Sequence, residues 1–423
     1  MAITRRDFGR LTALGAPAAF LERSGFGFKF PPLPATPAVP DEKFWESIQQ
    51  QFLLAPGLSV MNAANLCPSS APVLESMYRN TRDIDQDPSM NNRVKMAEGK
   101  ETTRKLLAEF LRVTPEEIVI TRNTSEANNL VSSGIDLSPG DEVIVYSDNH
   151  PSNLQAWQEK AKRFGFTIRI VQQVNPHPGL EYYVEAFAKE MTPSTKVLAL
   201  THLTSTVGDM FPVKELCRIC AERGVLSLVD GAQTFGVMDV DLGDMQPDFY
   251  SASAHKWPCG PKEVGVLYIN KRSHSRIRGT IFSAYPGAVG ISKTFEGFGQ
   301  RDEPAIIAFG EALKFQTRIG RKEIEARSRE LTQALIAGLK AIDGAKVWTH
   351  TDPARSLAVV SFLPGNLDPN KLGDTLYTKD RIGSMIRGGS DRGGLRLSPH
   401  IYNSMTEVEG VLNALKRYMK SGV

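Results

Sequence analysis

Two charged side chains stand at the ends of apolar segments that have the composition of buried strands. Asp230 ends GVLSLVD, and Lys256 follows the small-residue segment SASAH. A charge in such a place costs free energy unless an opposite charge or a ligand faces it. Burial also lowers the pKa of an amine, which makes a lysine nucleophilic near neutral pH. The pair therefore predicts a site where a reactive amine and a carboxylate face one ligand.

Polar groups follow other apolar segments of the same kind. Thr124 and Ser125 follow EEIVITRN at the start of a predicted helix, where Ser/Thr followed by Glu126 is a capping signal. Backbone N–H groups and hydroxyls at a helix N-terminus also bind anions, so the segment is either a simple cap or a phosphate site. His150 follows DEVIVYSDN, and Ser205 lies in the hydroxyl-rich run THLTSTVG.

The elements that must position these groups alternate along the chain. From about residue 70 to about residue 315, short apolar and often β-branched segments alternate with helical ones. Continuous apolar runs of strand length are typical of strands covered on both faces, and the alternation predicts a mostly parallel sheet wrapped by helices. Ligands bind beyond the carboxyl ends of such strands. We therefore expect an α/β fold in which Asp230 and Lys256 face one crevice.

The pattern divides the chain into four segments. Residues 1–40 are predicted to hold a twin-arginine signal and a Pro-rich linker, and residues 41–70 an N-terminal arm that contributes to the small domain and the active site. Residues 71–315 are predicted to form a large ligand-binding domain, and residues 316–423 a smaller α+β C-terminal domain.

The first residues, TRRDFGRLTALGAPAAF, combine an arginine pair with a short apolar run. This layout predicts a twin-arginine signal, and with it recognition by the export machinery and a periplasmic location. An ordinary basic N-terminal helix of a cytoplasmic protein is the alternative. No other segment approaches the ~20 apolar residues of a membrane span.

Charge and cysteine content exclude other classes of partner. The chain has 50 basic and 47 acidic residues, which gives no reason to expect binding to nucleic acid or an anionic membrane. Cys217 and Cys220 form a CxxC within a predicted helix, but no second Cys or His pair lies nearby, so we expect no metal. The expected partner is a small molecule.

A lysine, a carboxylate, a histidine and a helix-end phosphate site together match one cofactor. Pyridoxal phosphate has an aldehyde that a lysine captures as a Schiff base, a pyridine nitrogen that a carboxylate keeps protonated, a flat ring and a phosphate. The residues therefore predict a pyridoxal phosphate site with Lys256 as the Schiff-base lysine.

Longer motifs make the prediction more specific. Over roughly residues 55–420 the chain resembles the class V aminotransferase family of fold-type-I pyridoxal phosphate enzymes, and most of all its isopenicillin N epimerase-like branch, through TRNTSEA, NHPSN, DGAQ, SASAHKWPCGPKEVGVLY and GGLRLSPHIYNSMTEVE. The family also includes the cysteine desulfurases. Some members carry twin-arginine signals, among them a periplasmic enzyme of pyoverdine maturation. The resemblance implies a homodimer.

The resemblance also implies roles for single residues. Lys256, Asp230 and His150 would be catalytic: the lysine binds the cofactor and moves the substrate's α-proton, the aspartate pairs with the ring nitrogen, and the histidine stacks on the ring. Arg396, with Asn65, would bind the substrate, the arginine by gripping its carboxylate. The other contacts to the cofactor phosphate and ring oxygen would come from Thr124, Ser125, Gln233, Ser253, His255, Ser205 and Gln300.

Two of these positions depart from the family pattern. Ser205 stands where many relatives have Asn, so we expect different contacts to the ring oxygen. Gln300, in FEGFGQRDEPA, stands where relatives often have a Thr that reaches the partner subunit's phosphate, and Gln300 can still donate a hydrogen bond there.

Several reactions share this set of residues. Desulfurases carry a sulfur-accepting cysteine shortly before the carboxylate-binding arginine, and KDRIGSMIRGGSDRGG has none, which disfavours desulfuration through a persulfide. We expect an aminotransferase or epimerase-like enzyme acting on an amino acid or a peptide-derived amine. A C–S or β-lyase is the alternative, and a non-catalytic cofactor-binding protein is a further one.

The same loop carries three arginines, Arg381, Arg387 and Arg392. They would suit a substrate with a second carboxylate or another anionic group. They could equally form a solvated basic face.

Overall fold

The computed structural model describes residues 30–388 and 391–423, so the predicted twin-arginine signal lies outside the described residues. The strands are β1 (Ser59–Val60), β2 (Ile118–Thr121), β3 (Glu142–Tyr146), β4 (Thr167–Val171), β5 (Thr195–Thr201), β6 (Leu226–Asp230), β7 (Phe249–Ser253), β8 (Gly265–Ile269), β9 (Ala345–Val347), β10 (Val360–Pro364), β11 (Ile382–Gly383), β12 (Met385–Arg387) and β13 (Gly394–Leu397).

A seven-stranded sheet forms the centre of the molecule. Its order is β2-β8-β7-β6-β5-β3-β4, and β8 alone runs antiparallel to its neighbours in this sheet. The apolar residues of β3 show why both faces are covered, since Val143 and Val145 pack into one hydrophobic cluster and Ile144 and Tyr146 into the other. The prediction of an α/β fold with a mostly parallel sheet is confirmed.

Helices cover this sheet and extend to the C-terminus. They are α1 (Glu42–Gln49), α2 (Ala71–Gln86), α3 (Met90–Leu111), α4 (Thr124–Gly134), α5 (Pro151–Phe164), α6 (Leu180–Glu190), α7 (Val213–Glu222), α8 (Leu242–Met245), α9 (Ser292–Phe295), α10 (Glu303–Ile319), α11 (Arg321–Lys340), α12 (Pro369–Asp380) and α13 (Met405–Ser421). Within the described part of the chain, no helix combines the length and apolar character needed to cross a membrane.

Short polar side chains determine where several helices begin. Asp41, Asn123, Asp302 and Ser404 each accept a hydrogen bond from a backbone N–H of the first turn that follows. These N–H groups have no partner within their helix, so a cap stabilises the first turn.

The C-terminal part contains a second sheet. Its order is β12-β13-β10-β9, all antiparallel, with α11 and α13 packed against each other beside it. The N-terminal segment joins this region because β1 pairs in parallel with β11. The domain boundaries remain predictions, and the one between residues 315 and 316 falls within α10.

A buried ion pair connects α3 to the edge of the central sheet. Arg104 donates from Nη1 and Nη2 to the two carboxylate oxygens of Glu296 at 2.6 and 2.8 Å, and from Nη1 to the carbonyl oxygen of Ile118 at 2.7 Å. Glu296 in turn accepts from the backbone N–H of Ile120 at 2.7 Å. Both side chains are almost fully buried, so neither charge can turn to water when its partner is lost.

We predict that Arg104→Ala lowers the free energy of unfolding by about 3–5 kcal/mol, because it leaves the buried Glu296 carboxylate with only the Ile120 N–H and Lys100, whose Nζ lies 3.4 Å away, as partners. Arg169→Ala is the matched control, since Arg169 is partly exposed and pairs with Glu190 at 2.7 Å, and we expect about 0–1 kcal/mol for it. Urea unfolding of both variants measures the difference. Equal losses of unfolding free energy in the two variants would show that the buried ion pair stabilises the fold no more than the exposed one.

Candidate active site

The carboxyl ends of neighbouring strands bring the predicted residues together. Asp230 ends β6, and β7, its parallel neighbour, ends at Ser253, three residues before Lys256. A cavity of about 600 Å³ opens there, within the range of small-molecule sites. Eleven of the predicted site residues line it: Asn65, Thr124, Ser125, His150, Ser205, Asp230, Gln233, Ser253, His255, Lys256 and Arg396.

Gln300 lies elsewhere in the chain's own fold. Its side chain is exposed and accepts from Arg93 Nη2 at 2.8 Å and donates to Glu303 Oε2 at 3.1 Å. It is not among the described residues that line the cavity. Any contact with a cofactor phosphate from here would have to be made in a partner subunit.

Lys256 is held by a tight turn of the chain. The backbone N–H of Cys259 donates to the carbonyl oxygen of Lys256 at 2.9 Å, and that of Gly260 donates to Ala254 at 2.8 Å. Cys259 adopts a left-handed conformation with φ of 55°, which is uncommon for a residue with a side chain. It is fully buried and does not line the cavity, so its part is to close the turn that presents Lys256.

Burial determines the electrostatics of Lys256. Removal from water lowers the pKa of its amine from 10.5 to about 8, although the Asp230 carboxylate partly opposes this change and the Arg396 guanidinium adds to it. A much larger fraction of the amine is therefore neutral near physiological pH than in an exposed lysine. Only the neutral amine is a nucleophile or a base.

Asp230 is held by groups that the sequence analysis missed. Asn128 Nδ2 donates to Asp230 Oδ2 at 3.0 Å, and Ser251 Oγ orients this amide by donating to Asn128 Oδ1 at 2.6 Å. The backbone N–H of Ala232 donates to Asp230 Oδ1 at 3.1 Å. Asn128 follows Thr124 by one helical turn, and this spacing was the signal that could have identified it.

The glycine after Asp230 is required by a close approach. A Cβ at Gly231 would lie 2.0 Å from the ring carbon Cζ of Tyr250, which no real contact allows. Gly231 also donates its backbone N–H to Ser251 at 2.8 Å. The chain can therefore turn directly after the carboxylate while staying against β7.

The start of α4 is built differently from the prediction. The interpretation of Ser/Thr before Glu126 as the capping signal was wrong, because the cap is Asn123: it is extended and its side chain accepts from the backbone N–H of Glu126 at 2.9 Å. Thr124 Oγ1 instead lies 2.6 Å from Ser253 Oγ, which also accepts from the Thr124 backbone N–H at 2.8 Å. The helix N-terminus, Ser125 and the end of β7 therefore surround one corner of the cavity.

His255 adds a neutral imidazole to this corner. Burial, with the nearby Lys256 and Lys262 charges, lowers its pKa from 6.5 to about 4. Its buried Nδ1 has no hydrogen-bond partner among the described residues. A buried ring nitrogen without a partner, in the corner formed by a helix N-terminus, can donate a hydrogen bond to an anionic ligand.

His150 is fixed as the N-cap of α5. Its Nδ1 accepts from the backbone N–H of Ser152 at 3.2 Å and lies 2.8 Å from the Ser152 hydroxyl. Burial, followed by the Lys256 charge, lowers the pKa of the imidazole. The lowered pKa favours the neutral imidazole, and the ring lines the cavity, where it can serve as a stacking partner for an aromatic ligand.

Gln233 is held at both ends of its amide. Its Nε2 donates to the carbonyl oxygen of Ala64 at 3.0 Å, and its Oε1 accepts from Trp257 Nε1 at 2.9 Å. The side chain therefore ties the N-terminal segment to the turn of Lys256. One amide N–H remains for a ligand in the cavity.

Arg396 lies on β13 and points its charge into the same cavity. Its Nη1 donates to the carbonyl oxygen of Ser205 at 2.6 Å and its Nη2 to Asn62 Oδ1 at 3.1 Å, while Nε has no partner among the described residues. Burial, with the nearby Arg387 charge, lowers its pKa to about 10. A nine-tenths buried cation without a carboxylate partner is arranged for an anionic ligand.

These residues fit pyridoxal phosphate by their chemistry. Lys256 offers the amine for the aldehyde, Asp230 the carboxylate for the pyridine nitrogen and His150 the flat surface for the ring. The phosphate would be held at the start of α4 by Thr124 and Ser125 together with Ser253 and His255.

Comparison with known proteins agrees with this geometry. Residues 69–411 match the model of the aminotransferase class-V family, and the chain belongs to this family. It is therefore a pyridoxal phosphate-dependent enzyme of the class V aminotransferase type.

Individual relatives cover nearly the whole chain. The isopenicillin N epimerase of Amycolatopsis lactamdurans is 29% identical over 89% of this chain and 99% of its own length. A probable cysteine desulfurase of Pyrococcus abyssi is 30% identical over 85% of this chain and 93% of its own length. The apo structure of the cysteine desulfurase from Thermococcus onnurineus NA1 superposes with a TM-score of 0.83 at 24% identity, over 92% of this chain and 100% of that chain.

We predict that cofactor attachment to Lys256 depends on pH with a midpoint near pH 8, well below the 10.5 of an ordinary lysine, because only the neutral amine reacts. Asp230→Asn should move the midpoint lower still, since the carboxylate raises the pKa of the amine. Cofactor absorbance after mixing with cofactor-free protein across a pH series measures both. Lys256→Ala is the blank, and a wild-type midpoint near 10.5 would contradict the prediction.

Proposed function

We propose that this protein is an aminotransferase or epimerase-like enzyme that acts on the amino group of an amino acid or a peptide-derived amine. The observation that carries the proposal is one cavity holding a lysine whose pKa is lowered to about 8 and a buried arginine, Arg396, without a carboxylate partner among the described residues. The amine can move a proton at the substrate's α-carbon. The arginine can hold the substrate's carboxylate.

Different residues of the chain carry out proton transfer at the α-carbon and orient the substrate. Pyridoxal phosphate, when bound, withdraws electrons from that carbon. Lys256 Nζ takes the α-proton and returns it, which is general acid–base catalysis by a group whose pKa lies near the working pH. Arg396 orients the substrate through its carboxylate, and Asp230 would hold the protonated ring nitrogen of the cofactor.

A C–S or β-lyase is the second candidate. It is supported by the relatives named cysteine desulfurases, one of which is 30% identical to this chain. Against the persulfide route stands the lining of the cavity, because none of its described residues is a cysteine. Cys67 and Cys259 are buried behind the wall of the cavity rather than exposed to it.

We further propose a homodimer, and export through the twin-arginine pathway to the periplasm. The arginine pair and short apolar run of residues 4–20 support export. Gln300 supports the dimer, since it is exposed and lies away from its own chain's cavity. The apolar side chains of Phe282 and Tyr285, exposed by 83% and 72%, suit burial in a subunit interface.

A panel of amino acids offered to the loaded enzyme with a keto-acid acceptor tests the reaction. We expect at least one amino acid to change the cofactor spectrum and to yield its keto acid or its opposite enantiomer, because proton transfer at the α-carbon leads to both. Lys256→Ala should abolish turnover. Release of pyruvate with ammonia or sulfide would identify the lyase instead, and an unchanged spectrum across the panel would contradict the proposed function.

Export is tested by replacing the arginine pair. Changing Arg5 and Arg6 to lysines should abolish periplasmic protein, because the signal is read by a receptor that requires both arginines. Fractionation of cells that express the wild type and the variant measures this, with total protein as the control. The same amount of periplasmic protein from both chains would rule out twin-arginine export.

A further inference from the structure

Arg387 lies beside Arg396 on the same face of the C-terminal sheet. β12 and β13 are antiparallel, with Arg387 opposite Gly394 and Met385 opposite Arg396. Residues 394 and 396 share one face of β13, and a residue directly opposite shares that face too. Gly394 carries no side chain and packs against β10, where a Cβ would lie 2.1 Å from the carbonyl oxygen of Phe362. Both arginines line the cavity that contains Lys256.

The side chain of Arg387 makes no hydrogen bond or ion pair to any described residue. Its Nε is buried without a partner, and burial lowers the pKa of the guanidinium. The nearby carboxylate of Asp148 makes its hydrogen bonds to other residues, because Arg392 donates to its Oδ2 at 2.7 Å and the Thr206 hydroxyl donates to the same oxygen. A half-buried cation whose N–H groups find no acceptor is unfavourable unless a ligand supplies one.

The three arginines of this loop therefore have different surroundings. Arg392 forms a network with Asp148 and Asp209, at 2.7 and 3.0 Å, and is structural. Arg381 is exposed, with its guanidinium 6.0 Å from the ring of Tyr377, and matches a solvated basic residue. Arg387 alone of the three lines the cavity.

Among the described residues that line the cavity, Lys256, Arg387 and Arg396 are basic and Asp148 and Asp230 are acidic. Asp230 serves Lys256 and the cofactor ring, and Arg396 serves the substrate's α-carboxylate. The Asp148 carboxylate attracts Arg387 but accepts its hydrogen bonds from Arg392 and Thr206, so the Arg387 guanidinium has no hydrogen-bonded anion among the described residues. Arg387 is a diagonal neighbour of Arg396 across the strand pair, where such neighbours lie about 7–8 Å apart. A small molecule with two anionic groups can therefore place one group at Arg396 and the other at Arg387.

We propose that Arg387 determines specificity for substrates whose side chain carries a second carboxylate, such as a dicarboxylic amino acid. This inference rests on the proposed function, since it names the substrate class of the same site. The guanidinium donates hydrogen bonds to the side-chain carboxylate, which replaces the solvation that Arg387 lost on burial. A neutral amide in the same place cannot neutralise the charge.

The test compares glutamate and aspartate with glutamine and asparagine on the loaded enzyme. Binding is measured by titration of the cofactor spectrum, and turnover by kcat/KM. The wild type should favour the dicarboxylic substrates by roughly 10-fold or more, and Arg387→Gln should lose roughly 10- to 100-fold on them, because it removes a charged hydrogen bond. Its values for the amides should stay within about twofold.

Two further variants separate recognition from folding. Arg381→Gln is the matched control on the same loop and should leave all four substrates unchanged, because its side chain lies outside the cavity. Arg387→Lys keeps the charge and should restore part of the preference. Cofactor content and thermal unfolding of each variant establish that it is folded.

The outcomes distinguish this inference from the function on which it rests. Equal binding of acids and amides by the wild type, or an equal loss of both in Arg387→Gln, overturns the role of Arg387 and leaves the proposed reaction standing. A cofactor spectrum that no amino acid changes overturns the proposed function itself. A preference for acids that disappears only in Arg387→Gln supports the assignment.

Discussion

The site depends on keeping one amine out of bulk water opposite a buried carboxylate. Lys256 and Asp230 follow neighbouring parallel strands, so the sheet places both at its carboxyl edge. Desolvation outweighs the attraction between them, which leaves the lysine with a pKa near 8 and thus reactive at physiological pH. If the carboxylate dominated, the amine would stay charged. If the carboxylate were absent, nothing in this pair would face the ring nitrogen.

The surroundings of this pair are arranged to keep its geometry. Asn128 and Ser251 hold the carboxylate, and the turn closed by Cys259 holds the lysine. Gln233 joins that turn to the N-terminal segment, so residues far apart in the chain share one wall of the cavity. Such supporting hydrogen bonds matter because catalytic groups must stay within a fraction of an ångström of their working positions.

The two regions of the molecule contribute different chemistry. The central sheet supplies the reactive amine, the carboxylate and the phosphate corner, all at strand or helix ends. The C-terminal sheet supplies two cations, Arg387 and Arg396, on adjacent strands. Because the family shares its cofactor among several reactions, we expect the charge and shape of this second wall to select the substrate.

Motifs in the sequence were enough to identify the cofactor site. A charge at the end of an apolar run is so costly unless paired that Asp230 and Lys256 could be recognised from their positions in the sequence. The alternation of such runs with helices predicted the parallel sheet, and hence the edge where both would meet. Eleven of the twelve predicted residues line the cavity. The convergence of strand ends in a parallel sheet accounts for those that follow the central strands, whereas Arg396 and Asn65 reach the cavity from the C-terminal sheet and the N-terminal segment.

Only the tertiary structure decided the remaining features. Asn128, Asn62 and Trp257 are ordinary in the sequence and become supports of the site through contacts across the fold. Asn123 replaced its hydroxyl neighbours as the cap of α4, because the backbone at Asn123 is extended. The three loop arginines look alike in the sequence. Strand register and carboxylates from distant parts of the chain decide which arginine is paired, which is exposed and which faces the cavity. Neither can be read from the order of residues in one sequence.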